Sequence, residues 1–142
     1  MTAAAAVVAV TIAPGRVLGL RCGPPPPNKP WLWEGAYLIP GGKVEPGEDQ
    51  QAAAVRELGE ETGLWLVPEA LVLVGEAPDP AGGVVAALYR ATLGPDDPRR
   101  LRLGGGPEGR LVSIPETVLV DPARCPFAAW NAAMGLGAGL GQ

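Results

Sequence analysis

The sequence predicts an α/β fold, a mixed β-sheet held between helical layers. Three observations carry this: apolar strand-forming segments flank one helix-forming stretch, no proline interrupts that stretch, and a second helical pattern lies near the end of the chain. The 142 residues suit a single domain over 1–142, large enough to bury a real core.

Residues 4–12 and 16–21 read as two strands joined by a turn at Pro14-Gly15. Residues 23–30 carry a run of four prolines and read as an extended loop. A short strand over 36–39 leads into Pro40-Gly41-Gly42-Lys43, read as a flexible backbone able to approach a phosphate beside a positive charge. Residues 49–62 form the central helix, with a capping oxygen on Asp49 and Gly63 placed for a left-handed exit. Gly59 is a local defect in it, costing on the order of 1 kcal/mol relative to alanine. Beyond the helix, 65–67 and 71–76 read as short strands and 84–92 as a stronger one. Residues 95–107 read as a polar, glycine-rich loop and 108–114 as a strand. A C-terminal helix is expected over 122–134, with Trp130 on its inner face, and a loose tail over 135–142.

Composition narrows the chemistry. Hydrophobic residues make up 47% of the chain, so it is read as globular despite 21 glycines and 17 prolines. Histidine is absent, which removes His-ligated zinc, Ser-His-Asp triads and Cys-His dyads. Cys22 and Cys125 fit neither a zinc spacing nor a disulfide framework and read as buried thiols of a cytosolic protein. A net charge of -4 weighs against a nucleic-acid polymer as partner, and Arg99, Arg100 and Arg102 read as a solvated loop cluster. Residues 3–13 are apolar but lack a basic flank and are too short to span a bilayer. No membrane partner is expected, and the chain is placed in the cytoplasm.

The most informative stretch is 42–64. It runs Gly42, five residues, Glu48, seven residues, then Arg56-Glu57-Leu58-Gly59-Glu60-Glu61-Thr62-Gly63-Leu64. On a helix, Glu57, Glu60 and Glu61 share an arc of roughly 100°, beside an apolar side made by Ala54, Val55 and Leu58. Such carboxylates repel by a few tenths of a kcal/mol per pair, and the helix holds no lysine to offset them. A hard divalent ion, Mg²⁺ or Mn²⁺, would compensate such a cluster. In isolation, an acidic face is more often a solvated helix surface. The glycines before the helix, and Glu48 placed to form a bidentate pair with Arg56, turn the reading toward a metal and phosphate platform.

This spacing resembles the Nudix box, the signature of the Nudix hydrolase family, at all nine defining positions. The box covers 23 residues, and the order of elements extends the likeness over most of the chain. The resemblance implies a Nudix-type α/β/α sandwich and hydrolysis of a nucleoside diphosphate linked to another group. It implies Glu57, Glu60 and Glu61 as ligands of Mg²⁺, or Mn²⁺, with the Gly41 carbonyl as a further ligand. Arg56 and Glu48 would pair to fix the loop, and Gly41, Gly42 and Lys43 would contact substrate. The general base varies across the family between a box glutamate and an acid on a later loop; Glu108 is the candidate for the latter. Trp31, Trp33 and Tyr37 flank this region, either to stack on a nucleobase or to cover the sheet edge.

The partner expected is therefore a small nucleotide, and a homodimer is allowed. A short single domain resembles the branch that converts (deoxy)nucleoside triphosphates to monophosphate and pyrophosphate. An ADP-ribose or nucleotide-sugar pyrophosphatase is the alternative, with Pro80 near the place where ADP-ribose-hydrolysing relatives carry a proline. A nucleotide-binding scaffold without activity is the second alternative, against which the complete box weighs.

Overall fold

Alternation along the first strand sets the layers. In β1 (Ala5–Ala13), Ala6, Val8 and Val10 bury on one face and Ala5 and Ala9 on the other. A strand covered on both faces reads as a continuous apolar run, as this one does. A computed structural model describes residues 3–78, 84–93, 104–106 and 109–137. The expectations made for Pro80, for Arg99, Arg100 and Arg102, for Glu108 and for the end of the tail lie outside the described residues.

The remaining strands are β2 (Arg16–Cys22), β3 (Tyr37–Leu38), β4 (Gly41–Lys43), β5 (Val72–Pro78), β6 (Val85–Thr92), β7 (Gly104–Gly106) and β8 (Gly109–Pro115). They form one mixed sheet in the order β5-β6-β1-β2-β8-β7. β1 and β6 run parallel from Ala5↔Ala86 to Thr11↔Thr92, while the other described pairs are antiparallel. Helix α1 (Gln50–Thr62) covers one face, packing Ala53, Ala54 and Leu58 on Ala6, Val8, Val10 and Tyr89. The other face carries a 3₁₀ turn, Glu116–Val120, and helix α2 (Ala128–Ala133). There Leu119, Cys125, Ala128 and Trp130 pack on Ala5, Ala9, Val17 and Leu88. Burying one such leucine contributes about 1.5–3 kcal/mol. The result is the α/β/α sandwich with a mixed sheet that the sequence implied. Among the described residues, no helix is long and apolar enough to cross a membrane.

A wedge in this sheet positions the site. β1 and β2 pair next to their turn, at Thr11↔Val17 and Ala13↔Arg16. Farther along, β3 takes the edge of β2 and β4 takes the edge of β1, with Ala6 opposite Gly42 and Val7 opposite Gly41. The stretch 40–43, expected as a flexible loop, is thus largely a strand. It is held because β1 would otherwise leave backbone groups unpaired. Gly41 has to be a glycine here, since a Cβ would run into the backbone oxygen of Ala6 and the side chain of Val7.

Other expectations change too. Residues 65–67 are not a strand but lead into a 3₁₀ turn at Pro68–Ala70. Gly104–Gly106, expected within a loop, pairs with β8. The C-terminal helix is shorter than expected, because Pro126 disfavours helical backbone at Cys125 and turns fill the preceding residues. The tail is tied down at its start: Leu136 is buried, and the Gly137 N–H donates to Glu116 Oε1 at 2.8 Å.

Candidate active site

Helix α1 begins and ends as its sequence dictates. Asp49 Oδ1 accepts from the Ala52 N–H at 2.7 Å, and Gly63, at φ 78°, donates its N–H to the Gly59 carbonyl at 2.8 Å. These caps fix the phase of the helix, so Glu57 and Glu61, one turn apart, both meet strand β4. Gly42 faces Glu57 so closely that a Cβ there would lie 2.5 Å from the carboxyl carbon. The Gly41 N–H points at both carboxylate oxygens of Glu61, each at 3.4 Å.

Arg56 ties the platform together. Its Nε donates to Glu48 Oε2 at 2.8 Å and its Nη2 to Glu48 Oε1 at 3.0 Å, the bidentate pair expected. Nη2 also donates to the Lys43 carbonyl at 3.0 Å, which ties the helix to β4. Nη1 reaches Glu57 Oε1 at 2.9 Å and Glu60 at 3.4 Å, and Glu45 at 3.7 Å. The carboxylate arc is therefore not without a cation: the side chain of Arg56 lies along it, because that of Glu48 draws the guanidinium over the helix. Hydrogen bonds from Arg56, then the Glu45 N–H, hold the Glu48 carboxyl below its ordinary range. Glu48, followed by Glu57 and Glu60, in turn keeps the guanidinium charged far above any accessible pH.

The acids and glycines singled out in the sequence are thus brought together, Glu108 excepted, since it lies outside the described residues. Among the described residues, no three acidic or thiol side chains close on a single point. The donor chemistry nevertheless fits a hard divalent cation: the groups are carboxylate oxygens, and glycine at 42 leaves space that Glu57 fills.

A cavity of about 400 Å³ opens on the opposite side of β4. Gly41, Gly42 and Lys43 form one wall; Trp31, Phe127 and Trp130 form another. The Trp31 and Phe127 rings lie 5.0 Å apart, tilted by 59°. Trp33 and Tyr37 do not line the cavity; Trp33 is exposed and Tyr37 lies under Arg124, 5.4 Å from its ring centroid. Cys125 is on the wall, where burial pushes its thiol up to about 11 and so favours the protonated form at neutral pH. Sequence reasoning missed Lys29 and Phe127 as cavity residues, because only the fold brings 29 and 127 beside 43.

A model of the NUDIX domain matches residues 1–114. The chain belongs to the Nudix family. Its fold is shared with a MutT protein of Methanosarcina mazei Go1, at a TM-score of 0.63 and 20% identity over 94% of this chain and 92% of that one. A MutT/nudix family protein of Enterococcus faecalis matches with a TM-score of 0.59 and 21% identity over 80% of this chain. An ADP-ribose pyrophosphatase of Methanocaldococcus jannaschii is 41% identical over 64 residues, 44% of this Nudix chain. The chain spans 37% of the length of that relative and 43% of the Enterococcus protein.

Proposed function

We propose that the chain is a divalent-metal-dependent hydrolase that cuts within the phosphate chain of a nucleoside diphosphate linked to another moiety. The observation that carries this is the complete box folded so that Glu57 and Glu61 lie against β4, while Arg56 and Glu48 lock the intervening turn. Glu57, Glu60 and Glu61, with the Gly41 carbonyl, are the groups that would hold the metal, for which we infer Mg²⁺, or Mn²⁺ in its place. Such an ion, when bound, supplies charge neutralisation and an activated water. Arg56 holds the helix in phase with β4 and Lys43 attracts the phosphate chain. Either a box glutamate or Glu108 takes the proton of the attacking water.

The first reading of the substrate is a (deoxy)nucleoside triphosphate, cut to monophosphate and pyrophosphate. A cavity of about 400 Å³ suits one nucleoside unit. The second reading, ADP-ribose or a nucleotide sugar, is favoured by the ADP-ribose pyrophosphatase relative. Cys22 and Cys125, both buried and neither in a disulfide, suit the reducing cytoplasm. A panel of deoxynucleoside triphosphates, ADP-ribose, nucleotide sugars and dinucleoside polyphosphates with Mg²⁺ separates these readings by the products released. Binding without turnover of any of them would favour the inactive scaffold.

A further inference from the structure

The proline-rich segment 23–30 takes no part in the chemistry above, yet its end reaches the cavity. The chain has two lysines, Lys29 and Lys43, and both line this one cavity. No carboxylate is among the described wall residues, although the chain as a whole carries a net charge of -4. The other walls are largely apolar, with Val7, Ile39, Trp31 and Phe127 among them. Two cations over an aromatic, uncharged floor suit a ligand with a planar body and an anionic tail.

Lys29 is presented by a constrained segment. Its N–H donates to the Pro26 carbonyl and its carbonyl accepts from the Leu32 N–H, each at 3.1 Å. The neighbouring Trp31 packs on Phe127 across the cavity wall. Prolines 24–27 and Pro30 restrict the backbone alternatives of the segment, so less freedom is lost when a ligand binds.

We propose that Lys29 is a specificity-determining residue, which binds the phosphate chain of a nucleoside di- or triphosphate whose base rests against Trp31. This rests on the hydrolase reading for its substrate class. Lys29 and Lys43 then approach the phosphates from different segments, while the base lies on the apolar floor.

The test is calorimetric titration of the full chain with ADP and with adenosine in EDTA, where turnover plays no part. Lys29→Ala should weaken ADP binding about five- to tenfold and leave adenosine binding unchanged, as expected for a solvent-accessible cation facing an anion. Lys29→Arg should stay within about twofold of the parent, and added salt should narrow the Lys29→Ala difference. With a turned-over nucleotide, Lys29→Ala should raise KM while leaving kcat unchanged. Equal losses for ADP and adenosine, unchanged ADP affinity, or no ADP binding to the parent chain would each overturn the proposal. Unchanged ADP affinity in a variant that still hydrolyses nucleotides would overturn the role of Lys29 and leave the hydrolase reading standing.

Discussion

The guanidinium of Arg56 grips the Glu48 carboxylate at two points, 2.8 and 3.0 Å, across the turn that joins β4 to α1. The same side chain bonds the Lys43 carbonyl and Glu57, so one residue holds the turn, the glycine strand and an acid of the helix in register. Arg56→Ala and Glu48→Ala should each lower activity and thermal stability. The double variant should lose less than the sum of the two, because each single change already breaks the shared contact. Arg56→Lys keeps the charge but loses the planar fork, so activity should still fall. Strict additivity in thermal unfolding and kinetics would mean that this pair does not organise the turn.

Glu57→Gln and Glu61→Gln each preserve shape and remove a charged oxygen donor. A rate loss of about 10²-fold or more is expected for each, measured as kcat/KM with Mg²⁺. Relief of repulsion would raise the melting temperature of Glu57→Gln, but that substitution also weakens the bond from Arg56. The melting temperature should therefore stay level or fall. Parent-like kinetics for both variants would reduce the acidic face to a solvated surface.

Gly59 reads as a defect in the helix, yet the Trp65 ring lies against it so closely that a Cβ would meet the ring atoms. Gly59→Ala should destabilise the protein despite a helix-propensity gain of about 1 kcal/mol. With Trp65→Ala as the background, the same change should become stabilising by up to about 1 kcal/mol, read from urea unfolding. Stabilisation by Gly59→Ala in the parent chain would show that the contact is loose.

Glu116 accepts from both Nη atoms of Arg90 at 3.1 Å and from the Gly137 N–H, joining the 3₁₀ turn and the start of the tail to β6. Burial pushes its carboxyl up, but the Arg90 bonds, the Gly137 amide and the Arg90 charge outweigh this and leave it below the ordinary range. A depressed carboxyl contributes its stability fully above the unfolded pKa and loses it as pH falls through the folded one. Glu116→Gln should cost about 1–3 kcal/mol at neutral pH. The gap from the parent should close in acid, measured by urea unfolding at both pH values. An equal gap at both would locate the stabilisation in packing instead.

How much of this was legible in the sequence follows from the range of each interaction. The helix was legible to within one residue, because Asp49, Gly63 and the alanines act locally. The Arg56–Glu48 pair was legible because eight residues separate it and the helix fixes one partner. β4 was not, since Gly41–Lys43 carries no strand signal and pairs only because β1 and β2 diverge. The contacts of Arg56 with Glu57 and Glu60 were missed because spacing gives the arc of the acids, not the path of a flexible cation beside them. Glu116–Arg90 joins residues 26 apart through the tertiary fold, and neither residue carries a local signal.

The role proposed for the acids of α1 is metal-dependent cleavage of a phosphate chain. The most direct measurement is product release from the turned-over nucleotide with Mg²⁺ and with EDTA, using the parent chain and Glu61→Gln in parallel. Turnover by the parent with Mg²⁺, none in EDTA, and a loss of about 10²-fold or more in the variant are expected. Full turnover in EDTA, or a variant as fast as the parent, would contradict it.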